Sequence, residues 1–166
     1  MDLSTFSKYE VKGPDAYAYL SRICANKIPA KDGGVILGHL LNANGFIESE
    51  ITVTRLAEDH FYVLSAAVAQ LHDFDQLNWR IEKGENVALT DVTDDYGVLV
   101  LAGPKARDVL APLTETDLTN ASFRWLTGQE ATVAGVKGVR LIRVNYVGEL
   151  GWELHCPMAE MPKVYH

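Results

Sequence analysis

Two stretches ninety positions apart can be laid on one another, and together they restrict what this chain can fold into more than any other feature. "YEVKGPDAYAYL" (Tyr9–Leu20) matches "VLVLAGPKARDVL" (Val98–Leu110), with Gly13 on Gly103, Pro14 on Pro104, Ala16 on Ala106 and Leu20 on Leu110. Each copy reads as a short apolar strand, a Gly-Pro break and an amphipathic helix. Proline suits the first helical turn, because its missing N–H would be unpaired there anyway. The spacing then buries Ala16, Tyr19 and Leu20 in one copy, and Ala106, Val109 and Leu110 in the other.

A second block follows each helix. "NANGFIESEITVTRL" (Asn42–Leu56) has turn chemistry at Asn44-Gly45, then an alternation of Ile47, Ser49, Ile51, Val53 against Phe46, Glu48, Glu50, Thr52. "VNYVGELGWELH" repeats the idea: Asn42, Gly45 and Glu50 match Asn145, Gly148 and Glu153 at an offset of 103. "HFYVLSAA" reads as a strand and "VAQLHDFDQLNWRIE" as a helix, while "GQEATVAG" and "KGVRLIRVNYV" form a hairpin through "GVKG". The expectation is an α+β chain of two duplicated βαβ-type subdomains, residues 1–85 and 86–166, with antiparallel rather than parallel sheets. A pseudo-twofold arrangement would give Glu50 and Glu153 corresponding places, facing one pocket from two sides. The ends read as cut, "MAEMPKVYH" being a helix just begun, so a piece of a longer polypeptide is expected.

"YVGELGWELH" places Glu153 between Trp152 and Leu154, a lone carboxylate in an apolar strand. It faces water, closes a salt bridge or holds a ligand; the residues themselves leave all three open. The net charge of −7, spread without runs of like charge, argues against nucleic acid and anionic membrane as partners. No apolar run approaches the roughly 18 residues of a membrane span. Cys24 and Cys156 form no framework or metal knuckle and read as small buried side chains in a reducing compartment. His39, His60, His72, His155 and His166 have no metal-ligand spacing and read as surface or capped residues, so no metal is expected. Trp79, Trp125 and Trp152 read as core anchors. No G-x-G-x-x-G run is present.

The stretches "DLSTFSKYEVKGPDA", "GHLLNANGFIESEITV", "LAGPKARDVL" and "YVGELGWELH" resemble, in order and over nearly the whole chain, the folate-binding aminomethyltransferase family, the T-protein of glycine cleavage. They are closer still to the folate domains of dimethylglycine and sarcosine dehydrogenases. The resemblance implies the aminomethyltransferase folate-binding fold, tetrahydrofolate as cofactor, and a transferase or dehydrogenase-type enzyme. It implies that Glu153 grips the amino-pyrimidine edge of the pterin and that Tyr146 lies against the ring. A carboxylate facing two parallel N–H donors is a bidentate arrangement that gives strength and orientation together. Glu50 falls where the family has its catalytic aspartate, with Ser49 beside it in place of a second aspartate. Phe6 aligns with an apolar pocket residue, Leu37 stands where the transferase has a tyrosine, and Thr52, on the Glu50 side of the alternation, joins the folate contacts.

The function so implied is capture of a one-carbon unit, from the iminium of an N-methyl amine, as 5,10-methylenetetrahydrofolate. FAD would sit only on a flavin oxidoreductase domain of the same polypeptide outside this chain. The setting would be a bacterial cytoplasm or the mitochondrial matrix. The rivals are a non-catalytic folate-binding or scaffold module and a folate-dependent demethylase of another methyl donor. Relatives that assist iron–sulfur assembly carry a Cys and a Gln that "NYVGELG" lacks.

Overall fold

A computed structural model describes residues 1–144 and 146–166; Asn145, part of the repeated turn, lies outside the described residues. The chain divides into two compact units, Phe6–Thr93 and Met1–Thr5 with Asp94–His166.

In the first unit the order is β1 (Ser7–Lys12), α1 (Ala16–Ile23), β2 (Val35–Leu41), β3 (Ile47–Ala57), β4 (His60–Ser65), α2 (Gln70–Trp79) and β5 (Ala88–Asp91). The strands form one antiparallel sheet in the order β2-β3-β4-β1-β5. Tyr9, Val11, Val53, Phe61 and Val63 pack with Tyr19 and Leu20 of α1 and Leu77 of α2 in a single core. The buried Lys8 ties the two ends of the unit together: its Nζ donates to Phe6 O at 2.7 Å and Thr93 O at 2.9 Å. A buried ammonium survives only when its donors are so engaged.

In the second unit come β6 (Tyr96–Ala102), α3 (Ala106–Leu110), β7 (Gly128–Val133), β8 (Val136–Ile142), β9 (Gly151–Pro157) and α4 (Met161–Tyr165). The sheet is antiparallel in the order β6-β9-β8-β7. The first residues of the chain run beside β6, with Leu3 N donating to Val98 O and Val100 N to Met1 O, both at 2.8 Å. Trp152, Leu154 and Cys156 alternate into a core with Leu99, Leu110, Phe123, Val139 and Leu141.

The two units repeat one topology: a strand, a helix and a three-strand meander whose last strand lies beside the first. At both Gly-Pro breaks the glycine has a positive φ, +130° at Gly13 and +136° at Gly103. Each glycine's carbonyl accepts from the helix N-terminus, Ala16 N at 2.9 Å and Ala106 N at 3.0 Å. Each glycine's N–H donates to the turn before the returning strand, Asp59 O at 2.9 Å and Leu150 O at 2.8 Å. The antiparallel α+β class thus holds.

Four local expectations are corrected. Glu10 pairs with Tyr62 in one sheet and Val100 with Glu153 in the other, so Glu153 occupies the place of Tyr62 and not that of Glu50. The matched turns join different strands, β2 to β3 and β8 to β9; an Asn-x-x-Gly sequence encodes a turn, not a position in a sheet. The β7–β8 turn falls at Ala134-Gly135, both with positive φ, rather than across "GVKG". Val109 is half-exposed, because α3 is only five residues long and gives way to a 3-10 turn at Ala111–Leu113 with Pro112 inside it. Trp152 is a core anchor, but Trp79 at the end of α2 is 72% exposed and Trp125 in a loop 52%.

Candidate functional site

Alternation along β9 sends Trp152, Leu154 and Cys156 to the core and Glu153 and His155 to the opposite face. Glu153 stands between Val100 of β6 and Ile142 of β8, and is only 4% exposed. His155 is fully buried, its Nε2 3.2 Å from Glu153 Oε2. Opposite His155 on β8 is Arg140, whose guanidinium lies 4.2 Å over the ring of Tyr96. The face therefore carries a strip of Glu153, His155, Arg140 and Tyr96. Removing a carboxylate from water costs several kcal/mol unless its lone pairs are met. Here His155 orients the group through one oxygen. Each carboxylate oxygen can accept more than one hydrogen bond, so further acceptor capacity is left for incoming donors.

Of the other candidates, Tyr146 lies in the connection from β8 to β9, 71% exposed and two residues before Gly148 at φ +73°. Leu37, Glu50 and Thr52 are brought together on one face of the β2–β3 pair, with Leu37 opposite Thr52 and His39 opposite Glu50. Glu50 Oε2 is 3.4 Å from His39 Nε2, with the glutamate side chain 60% exposed. Leu37 is 43% exposed and Thr52 half-buried. Phe6 is half-buried at the entry to β1, its carbonyl held by Lys8.

Sequence reasoning missed His155. Its signal was present: Glu-x-His within a strand puts both side chains on one face, so this histidine is a buried partner rather than a surface residue. Among the described residues, no group of three or more His, Cys, Asp or Glu is placed to hold a metal. No helix among them is long and apolar enough to cross a membrane.

The family model described as the GCVT N-terminal domain matches residues 1–166. The chain is 37% identical over 159 residues to the mitochondrial dimethylglycine dehydrogenase of Rattus norvegicus, covering 93% of this chain and 18% of that protein. It is 33% identical over 179 residues to the mitochondrial sarcosine dehydrogenase of Mus musculus, covering 99% and 19%. Among solved structures, the glycine cleavage system aminomethyltransferase T from Bartonella henselae matches with a TM-score of 0.81 and 27% identity, covering 98% of this chain and 44% of that one. The chain thus spans about a fifth of the length of the two dehydrogenases, which are enzymes, as the transferase is. It belongs to the GCVT N-terminal domain family, as an aminomethyltransferase-type domain related to dimethylglycine and sarcosine dehydrogenases.

Proposed function

We propose that this domain binds tetrahydrofolate and positions it to capture a one-carbon unit, from an N-methyl amine oxidised on a flavin domain of the same polypeptide, as 5,10-methylenetetrahydrofolate. What supports the reading is Glu153, a carboxylate buried in a strand and oriented by a buried histidine, in a chain of this family. The pterin's amino-pyrimidine edge offers two parallel N–H donors, and a carboxylate fits them in the bidentate form. Away from water such bonds are stronger than at a surface. In this reading Tyr146, an exposed aromatic side chain of the same unit as Glu153, supplies surface for the ring. The work of the domain is positioning, which can remove roughly 7–11 kcal/mol of a barrier. That is more than the roughly 10²–10⁴-fold expected of one base.

Glu50 is the proposed base that assists proton removal from the folate nitrogens. Its exposure and its pairing with His39 favour a second reading, in which the domain holds folate and contributes no base of its own. The test is calorimetric titration with a stable reduced folate. Glu153→Gln should weaken binding by about 2 kcal/mol, the scale of a charge-assisted bond left unmade. Equal binding by both proteins would remove the clamp. In a protein that also carries the oxidising domain, Glu50→Gln separates the two readings. Loss of one-carbon capture with folate still bound supports the base, and unchanged capture supports the holding domain.

A further inference from the structure

The second unit contains a cavity of about 510 Å³, lined among others by Arg107, Asn120, Trp125, Arg143 and Leu150. That is a size suited to a small molecule. Arg107 and Arg143 both donate to one oxygen, Asn120 Oδ1, at 2.7 and 2.8 Å, so the two nitrogens stand no farther apart than the sum of those distances. Both guanidiniums also lie over the ring of Trp152, 5.8 and 5.6 Å from its centre. Backbone carbonyls hold them in place, Leu118 O for Arg107 and Phe123 O for Arg143.

Two cations are thus fixed side by side, and the acceptor between them is neutral. An aspartate at position 120 would have offset one of the two charges; an asparagine offsets neither. Among the described residues no ion pair joins either arginine to a carboxylate, and Glu149 also lines the cavity. Arg143 Nε is buried without an acceptor. Burial and the neighbouring Arg107 together hold the Arg143 guanidinium below its ordinary pKa, as expected of like charges lacking a counter-ion. At the lining, Trp125 leaves half of its indole in solvent, a large apolar surface beside a planar donor array. The site is distinct from Glu153, which faces away from Trp152 across the strand.

We propose that this cavity binds a small organic carboxylate with an apolar or aromatic body, its carboxylate bridging Arg107 and Arg143 and its body lying against Trp125. The planar guanidinium fork matches a carboxylate edge to edge, and nothing in the reading depends on folate. The experiment is calorimetry on the full chain with benzoate, beside neutral benzamide and inorganic phosphate. Benzoate should bind saturably and benzamide should not. Arg107→Gln should weaken benzoate roughly tenfold or more, and Trp125→Ala should weaken benzoate while leaving phosphate unchanged. Arg107 helps pin the loop at Leu118 and Asn120, so circular dichroism checks that variant; if it unfolds, exposed Trp125 carries the test. No benzoate uptake by the unaltered chain would overturn the proposal. So would benzoate binding indifferent to a folded Arg107→Gln, or phosphate binding as tightly as benzoate with Trp125→Ala affecting neither.

Discussion

Glu50 and Glu153 each stand five residues after the glycine of a turn, each beside a histidine, and the fold gives them opposite surroundings. Glu50 shares an exposed strand face with His39 at 3.4 Å. Glu153 is 4% exposed with the fully buried His155 at 3.2 Å. A solvated pair of this kind contributes little, because water competes for both partners. A buried pair makes each partner depend on the other. Sequence spacing equates the two carboxylates; the sheets separate them, since one strand lies inside its meander's first hairpin and the other returns beside the unit's opening strand.

The sharpest way to break that comparison is to remove each carboxylate in turn. Glu153→Ala strips the acceptor from His155 Nε2 and should cost about 3–5 kcal/mol in urea unfolding. Glu50→Ala should stay within about 0.5 kcal/mol. Equal losses would mean that burial does not distinguish the two pairs.

The Gly-Pro breaks offer the next contrast, since both glycines have a φ that side chains avoid. A Cβ on Gly13 would land 2.2 Å from Asn86 O, whereas one on Gly103 meets nothing within 4 Å. Gly103→Ala should therefore show only the conformational strain, about 1–3 kcal/mol. Gly13→Ala should lose clearly more by the same unfolding measurement, because backbone at Asn86 must also move.

The helices that follow differ in the same direction. Tyr19 of α1 is fully buried and donates to Leu77 O at 2.5 Å, while its counterpart Val109 on α3 is half-exposed. Tyr19→Phe should lose about 1–3 kcal/mol, the cost of a buried carbonyl left without its donor. Val109→Ala should change thermal stability by no more than about 0.5 kcal/mol.

These contrasts mark what the residues make legible. Gly13-Pro14 and Gly103-Pro104 announce strand, break and helix because those residues dictate backbone conformation locally. Ala16, Tyr19, Leu20, Ala106 and Leu110 are buried as their spacing predicts. Nothing local says that Glu153 lies opposite Val100, because strand order is decided by long-range pairing. Nor does helical spacing reveal that Val109 stays half-exposed on the short α3, or that Trp79 and Trp125 stay largely or half in solvent. At the site, the period-2 pattern gave the faces of β3 and β9, while the depth of each face depended on packing that no short window contains.

The smallest contrast is between the two thiols. Cys156 is fully buried, and burial alone pushes its thiol up to about 11 from an ordinary 9.0. Burial also raises Cys24, but backbone N–H groups at Asn26 and His39 stabilise its thiolate and oppose the rise. A thiol whose folded pKa exceeds its unfolded one favours the fold below the unfolded value. That contribution disappears as pH rises through the folded value. Stability should therefore decline between about pH 9 and 11, where an unfolded thiolate can form and the Cys156 thiolate cannot. Cys156→Ala should flatten this decline, measured by denaturant unfolding at a series of pH values, and Cys24→Ala should flatten it less. A decline equally shallow in both variants would mean that the two units shield their cysteines alike, and that the backbone donors around Cys24 do not reach its sulfur.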